Sequence, residues 1–139
     1  MNFVSRIKRR LNIIYTKSRG MNLGENSFVH RSVEITNPKN VSIGNLSTLY
    51  KQISLYISEN GSFSIGNKSH IAPFGYLLID NNKVKIGDNV VIGPFCSIIC
   101  HSNNIEGESL LFSENYLDND IIIGNNVFIG AHSTILKGV

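Results

Sequence analysis

Aliphatic residues recur every six positions along most of this chain. Leu23, Val29 and Ile35 open the pattern; Ile43, Leu49 and Leu55 repeat it, then Ile65, Ile71 and Leu77, then Ile86, Ile92 and Ile98, and last Ile123, Ile129 and Ile135. A helix buries every third or fourth residue and a strand every second, so a period of six fits neither element alone. Six is three pleats of a strand, which means a short straight run and then a corner. Grouped in threes, the runs predict a three-sided coil whose sides are short strands of about six residues. Five triplets predict about five coils, stacked at roughly 4.8 Å with parallel pairing from turn to turn. The aliphatics then line up as ladders down the inside.

The polar positions repeat as well. Gly follows the first aliphatic of every triplet, at Gly24, Gly44, Gly66, Gly87 and Gly124, and Asn stands one or two places further on. Both residue types tolerate the positive φ that tight corners demand, so they are expected to make the corners. Four places after many of the aliphatics comes a small or β-branched residue: Ser27, Val33, Ser47, Ser69, Val90, Cys96, Val127 or Ser133. These are expected to fill crowded inner corners.

Successive triplets begin 20, 22, 21 and 37 residues apart, against 18 for three bare hexads. The last figure predicts one large excursion from the coil, over residues 99–121. Residues 1–20 are different in kind. Phe3, Ile7, Leu11 and Ile14 recur at helical spacing beside Val4 and Tyr15, with bases on the other face and Gly20 as the stop. The expected organisation is a basic amphipathic helix over 1–20 and a β-helix over 21–139. That helix either caps the open first coil, since such stacks need end caps, or lies on an anionic membrane surface.

Charge sharpens this division. Six of the thirteen Lys and Arg fall in the first twenty residues, without an acid; the remainder holds seven bases and ten acids. The body is therefore net acidic, which argues against a nucleic-acid partner. With 139 residues, 42% hydrophobic, the chain can build one real core. Its two cysteines, Cys96 and Cys100, give no disulfide framework and are expected as free thiols in a reducing cytoplasm. No run approaches a membrane span, and "LNIIY" is too short for a signal peptide's apolar region.

The stretches "IGDNVVIGPFCSII" and "IIIGNNVFIGAHSTILKGV" resemble the hexapeptide-repeat acyltransferases, over residues 23–139. The nearest branch resembles the galactoside, maltose and polysaccharide O-acetyltransferases. The resemblance implies an all-β fold, a left-handed parallel β-helix with a short N-terminal helix. It implies transfer of an acetyl group from acetyl-CoA to a hydroxyl or amine of a sugar, in surface polysaccharide biosynthesis, by a cytoplasmic homotrimer with no metal. Relatives continue into further turns such as "TIGDNSVIGAGSVVTKD". Here the fifth triplet begins at Ile123 and Val139 is its seventeenth residue, so the chain stops as a coil closes. That length suits either a fragment or a naturally short protein.

The resemblance also suggests residues. In this branch a His near the start of the excursion is the general base, and attack on the thioester is direct. Its usual place, five residues after the aliphatic matching Ile98, holds Asn103 here, while His101 lies only three after Ile98. Either the loop shifts by two residues and His101 is the base, or the base is lost. Asp80, Asn81 and Asn103 are the expected acceptor contacts, although Ala72 stands where the branch often has Asn. Phe128, Ala131 and His132 are expected to wall the coenzyme groove; His30 and His70 are expected as surface residues. Two other readings stay open. One is a carbonic-anhydrase-like metalloenzyme, disfavoured because no two histidines lie within twenty residues of each other. The other is an inactive β-helix serving as a binding or structural protein.

Overall fold

The computed structural model describes residues 3–105, 111 and 115–139. Fifteen short strands wind into three parallel sheets of five, as expected from the hexads. The first sheet holds Asn22–Leu23, Val41–Ile43, Ser62–Ile65, Lys83–Ile86 and Ile121–Ile123. The second holds Phe28–Val29, Thr48–Leu49, His70–Ile71, Val91–Ile92 and Phe128–Ile129. The third holds Glu34–Ile35, Ser54–Ile57, Tyr76–Asp80, Ser97–Ile99 and Thr134–Leu136. Each rung contributes one strand to each sheet, so the architecture is a parallel β-helix. The strands themselves are only two to five residues long, shorter than the predicted sides, because each corner takes the rest.

The registers join the predicted ladders. Leu23, Ile43, Ile65, Ile86 and Ile123 are direct partners down the first sheet. Val29, Leu49, Ile71, Ile92 and Ile129 pair down the second. Ile35, Leu55, Leu77, Ile98 and Ile135 pair down the third. All but Ile135, which packs partly buried against them, belong to one buried core.

The glycines play another part than the one expected. Positive φ falls two residues after each glycine, at Asn26, Leu46, Lys68, Asn89 and Asn126. The glycines are needed because successive rungs touch there. A Cβ on Gly24 would lie 2.6 Å from the carbonyl carbon of Gly44, and one on Gly44 would lie 2.5 Å from that of Gly66. The residue after each glycine also works between rungs. Asn45 Oδ1 accepts from the Glu25 N–H at 2.8 Å, Asn67 Oδ1 from Asn45 at 2.8 Å, Asp88 Oδ1 from Asn67 at 2.6 Å, and Asn125 Oδ1 from Asp88 at 2.8 Å. Each N–H freed at the corner finds a side chain one rung on.

The inner-corner serines do more than fit. Ser27 donates to the Gly44 carbonyl and accepts from the Ser47 N–H at 3.0 Å. Ser47 donates to the Gly66 carbonyl at 2.6 Å and accepts from Ser69 at 3.0 Å. Ser69 donates to Gly87 at 3.0 Å and accepts from Val90 at 2.9 Å. All three serines are buried.

The helix α1, Phe3–Ser18, ends at Gly20, whose φ of 89° is the left-handed stop expected there. It caps the first rung with a largely polar face rather than with its apolar stripe. Asn12 Nδ2 donates to the Val29 carbonyl, and the Arg19 guanidinium donates to the Ile35 carbonyl at 3.0 Å. Thr16 is buried and Ile13 packs on the core. Ile7, Leu11, Ile14 and Tyr15 stay exposed. The side chains of Phe3 and Val4 lie outside the described residues. An open rung presents backbone carbonyls as well as aliphatics, so polar residues cover it.

Candidate active site

The third corner, where the third sheet turns back to the first, gathers the titratable side chains. Ser97–Ile99 leads through Cys100 into a strand that leaves the coil, His101–Asn103. It pairs antiparallel with Tyr116–Asp118, and His101 lies opposite Asp118. The predicted excursion thus begins as a β-hairpin; its residues 106–110 and 112–114 lie outside the described residues. Its base is tied to the coil by Cys100 N–H to the Leu78 carbonyl, 2.9 Å, and Asn119 N–H to the Cys100 carbonyl, 3.0 Å.

This register sets the chemistry. His101 Nδ1 lies 2.7 Å from Asp118 Oδ1. A carboxylate only accepts, so Nδ1 carries a proton, and in the neutral imidazole Nε2 then holds the free lone pair. The Tyr116 ring lies 4.4 Å from the imidazole, tilted by 39°. Asp80 Oδ2 is 4.0 Å from His101 Nδ1. The His101 side chain is 22% exposed, enough for a substrate to reach it.

Asp80 is placed by backbone. It sits at a register shift between the third sheet's strands, with φ of 53°. Bulges of this kind re-aim a side chain. Its Oδ1 accepts from the Ser58 hydroxyl, and its carbonyl accepts from the Ser58 N–H at 2.9 Å. Gly61 is required beneath it, since a Cβ there would lie 1.8 Å from the Asp80 carbonyl oxygen.

Of the other expected residues, Asn103 shares its strand face with His101, two residues on, and is exposed. Asn81 is exposed next to Asp80 and makes no hydrogen bond among the described residues. Phe128, Ala131 and His132 lie elsewhere. Phe128 stands on the outer face of the second sheet, 76% exposed, and Ala131 and His132 follow at the corner between the second and third sheets. In a three-sided coil the third corner is opposite the second sheet. One chain therefore does not bring this group to His101.

Two features escaped the sequence reading. Asp118 lies 17 residues from His101, and only the hairpin register joins them. At the second corner, Phe74 stacks on Phe95 with centroids 4.7 Å apart, and Phe95 on His132 at 4.9 Å. Each stands three places after its aliphatic, a spacing visible in the sequence. Cys100 is buried beside His101; burial, then Asp120 and Asp118, push its thiol up to about 11. It is protonated near neutrality and unsuited as a nucleophile. Among the described residues, no three of His, Cys, Asp or Glu converge as a metal site.

No family model matches the chain. It is 34% identical over 103 residues, 66% of its length, to the galactoside O-acetyltransferase of Escherichia coli (strain K12), and it spans 50% of that protein. Among solved structures it is similar to a mutant of AntD, an N-acyltransferase from Bacillus cereus, in complex with dTDP and coenzyme A. The TM-score is 0.77 at 25% identity, over 89% of this chain and 69% of that one. AntD in complex with dTDP and 3-hydroxybutyryl-CoA matches in fold, with a TM-score of 0.78 at 24% identity over 91% of this chain and 69% of that one.

Proposed function

We propose that this hexapeptide-repeat, acyltransferase-like β-helix protein moves an acyl group from a coenzyme A thioester to a hydroxyl or amine of a sugar, with His101 as general base. The observation that carries the reading is the His101–Asp118 pair, held at the mouth of the hairpin beside Asp80. The similar proteins support the reaction class: one is a galactoside O-acetyltransferase, the other an N-acyltransferase that binds coenzyme A and dTDP. The galactoside O-acetyltransferase supports an acetyl donor, and the resemblance in sequence to polysaccharide O-acetyltransferases is the ground for a role in building a surface glycan.

The thioester supplies an acyl group already activated for transfer. Asp118 fixes the imidazole so that Nε2 faces the acceptor. As the acceptor O–H or N–H attacks the carbonyl carbon, Nε2 takes its proton. The new C–O or C–N bond forms, the C–S bond breaks, and the imidazolium returns the proton to the leaving sulfur. Asp80, Asn81 and Asn103, on the exposed rim, hold the sugar's hydroxyls. Phe128, Ala131 and His132 hold the coenzyme arm. Because Phe128 lies opposite the third corner, and Ala131 and His132 at a different corner, a complete site needs the second face of another copy, and a homotrimer supplies it.

The test is acyl transfer from acetyl-CoA to galactosides and nucleotide-linked amino sugars, followed by mass spectrometry. His101→Ala should lower transfer by about 100-fold or more, with coenzyme binding retained. Asp118→Asn should lower it less, since the imidazole stays but loses its anchor. A fully active His101→Ala alongside an inactive Asn103→Ala would remove His101 from the reaction and show that Asn103 holds the position aligned with the chemistry. Absence of both transfer and coenzyme binding would end the reading.

A further inference from the structure

The first-rung cap leaves one surface of α1 unaccounted for. Ile7, Leu11, Ile14 and Tyr15 are 42, 61, 64 and 53% exposed. At about 100° per residue they share one sector of the helix roughly 100° wide. The opposite side is fixed to the coil by Asn12, Ile13, Thr16 and Arg19, so the apolar stripe faces outward by construction. Along one flank run Arg6, Arg10 and Lys17, all exposed. No acid occurs in the first twenty residues.

We propose that this stripe seats the protein on an anionic phospholipid surface, with Ile7, Leu11 and Ile14 in the headgroup–acyl boundary and the flanking bases on the lipid phosphates. An interfacial helix has these parts: a bulky apolar face, a cationic border and an amphipathic aromatic. The helix does not span, since no helix among the described residues is long and apolar enough to cross a membrane. The charge favours lipid over a protein groove, because the border is cationic without any compensating acid on the helix. The β-helix would then stand on the bilayer by its first rung, with the third corner several rungs' edges open to the side.

The experiment is sedimentation of the full 139-residue chain with vesicles of phosphatidylcholine alone, or with about a third phosphatidylglycerol. Binding should require the anionic lipid and weaken as salt rises, because surface charges are screened. Each basic side chain is worth roughly fivefold in partition. Arg10→Glu with Lys17→Glu should therefore lower binding by more than tenfold. Leu11→Ser with Ile14→Ser should abolish it, while circular dichroism stays unchanged because both side chains already meet solvent. Equal failure on both vesicle types overturns the proposal, as does binding indifferent to Leu11 and Ile14. If the Ser variants instead only lower the oligomer's mass in sedimentation velocity, the stripe is a contact between copies, and the lipid assignment is wrong.

Discussion

Ser47→Ala isolates what the inner corners do. Ser47 is fully buried, and its single hydroxyl proton goes to the Gly66 carbonyl at 2.6 Å while its oxygen accepts the Ser69 N–H at 3.0 Å. Alanine removes the hydroxyl that serves both partners and changes little volume. Two buried backbone groups lose their bonds, each at about 1–3 kcal/mol. The gain from hiding a methyl instead of a hydroxyl is smaller, so the loss should total about 2–5 kcal/mol. For a chain of this size that lowers the melting midpoint by roughly 10 °C. Urea unfolding followed by far-UV circular dichroism measures it. Ser47→Cys should recover part of the loss, because Cys96 already plays this part at a second corner, its Sγ 3.0 Å from the Gly130 carbonyl. If Ser47→Ala and Ser47→Val both fall within about 0.5 kcal/mol of the parent, the corners select only for size and the hydrogen-bond argument fails.

Two further outcomes follow from the core. Ile86→Asp places an unpaired charge in the middle of the first sheet's ladder and should cost several kcal/mol, read as loss of the cooperative transition. Cys100, held protonated by burial and by two carboxylates, should resist iodoacetamide at pH 8 in the folded chain. Its folded pKa, about 11, lies above the thiol's ordinary 9.0, so the native state keeps a proton that the unfolded chain releases. Stability should be full below about pH 9 and decline as pH rises toward about 11, a slope that Cys100→Ser removes.

A hexad states which residues share a ladder, and every pairing among its fifteen aliphatics could be read from it; Val84 with Ile121 and Val41 with Phe63, outside the hexads, could not. It does not state what crosses between rungs. Gly24 and Gly44 look like corner residues in sequence, yet the constraint on them is the backbone one rung away, some twenty residues later. Which face of α1 meets the coil is hidden for a related reason. Periodicity shows where a helix is apolar, but the surface it covers is an open rung with bare carbonyls, which Asn12 and Arg19 satisfy better than leucine would. His101 was found because a histidine stands out. Asp118 was not, because its relation to His101 exists only in the hairpin register.

The expected base and acceptor contacts sit around the third corner, and the expected coenzyme contacts sit on and beside the second sheet. A prism cannot turn two opposite surfaces toward each other, and no loop between them among the described residues is long enough to do so. Stacking rungs more tightly does not help either, since it moves residues along the axis and not around it. If both groups serve one reaction, the geometry is closed by a second copy presenting its second face to the first copy's third corner. Spacing within one sequence carries no trace of that arrangement, because it is a relation between chains. Mixing His101→Ala chains with Phe128→Ala chains should therefore restore some activity that neither has alone, through sites whose two halves are both intact. Random assembly that restores none would place the whole site within one chain.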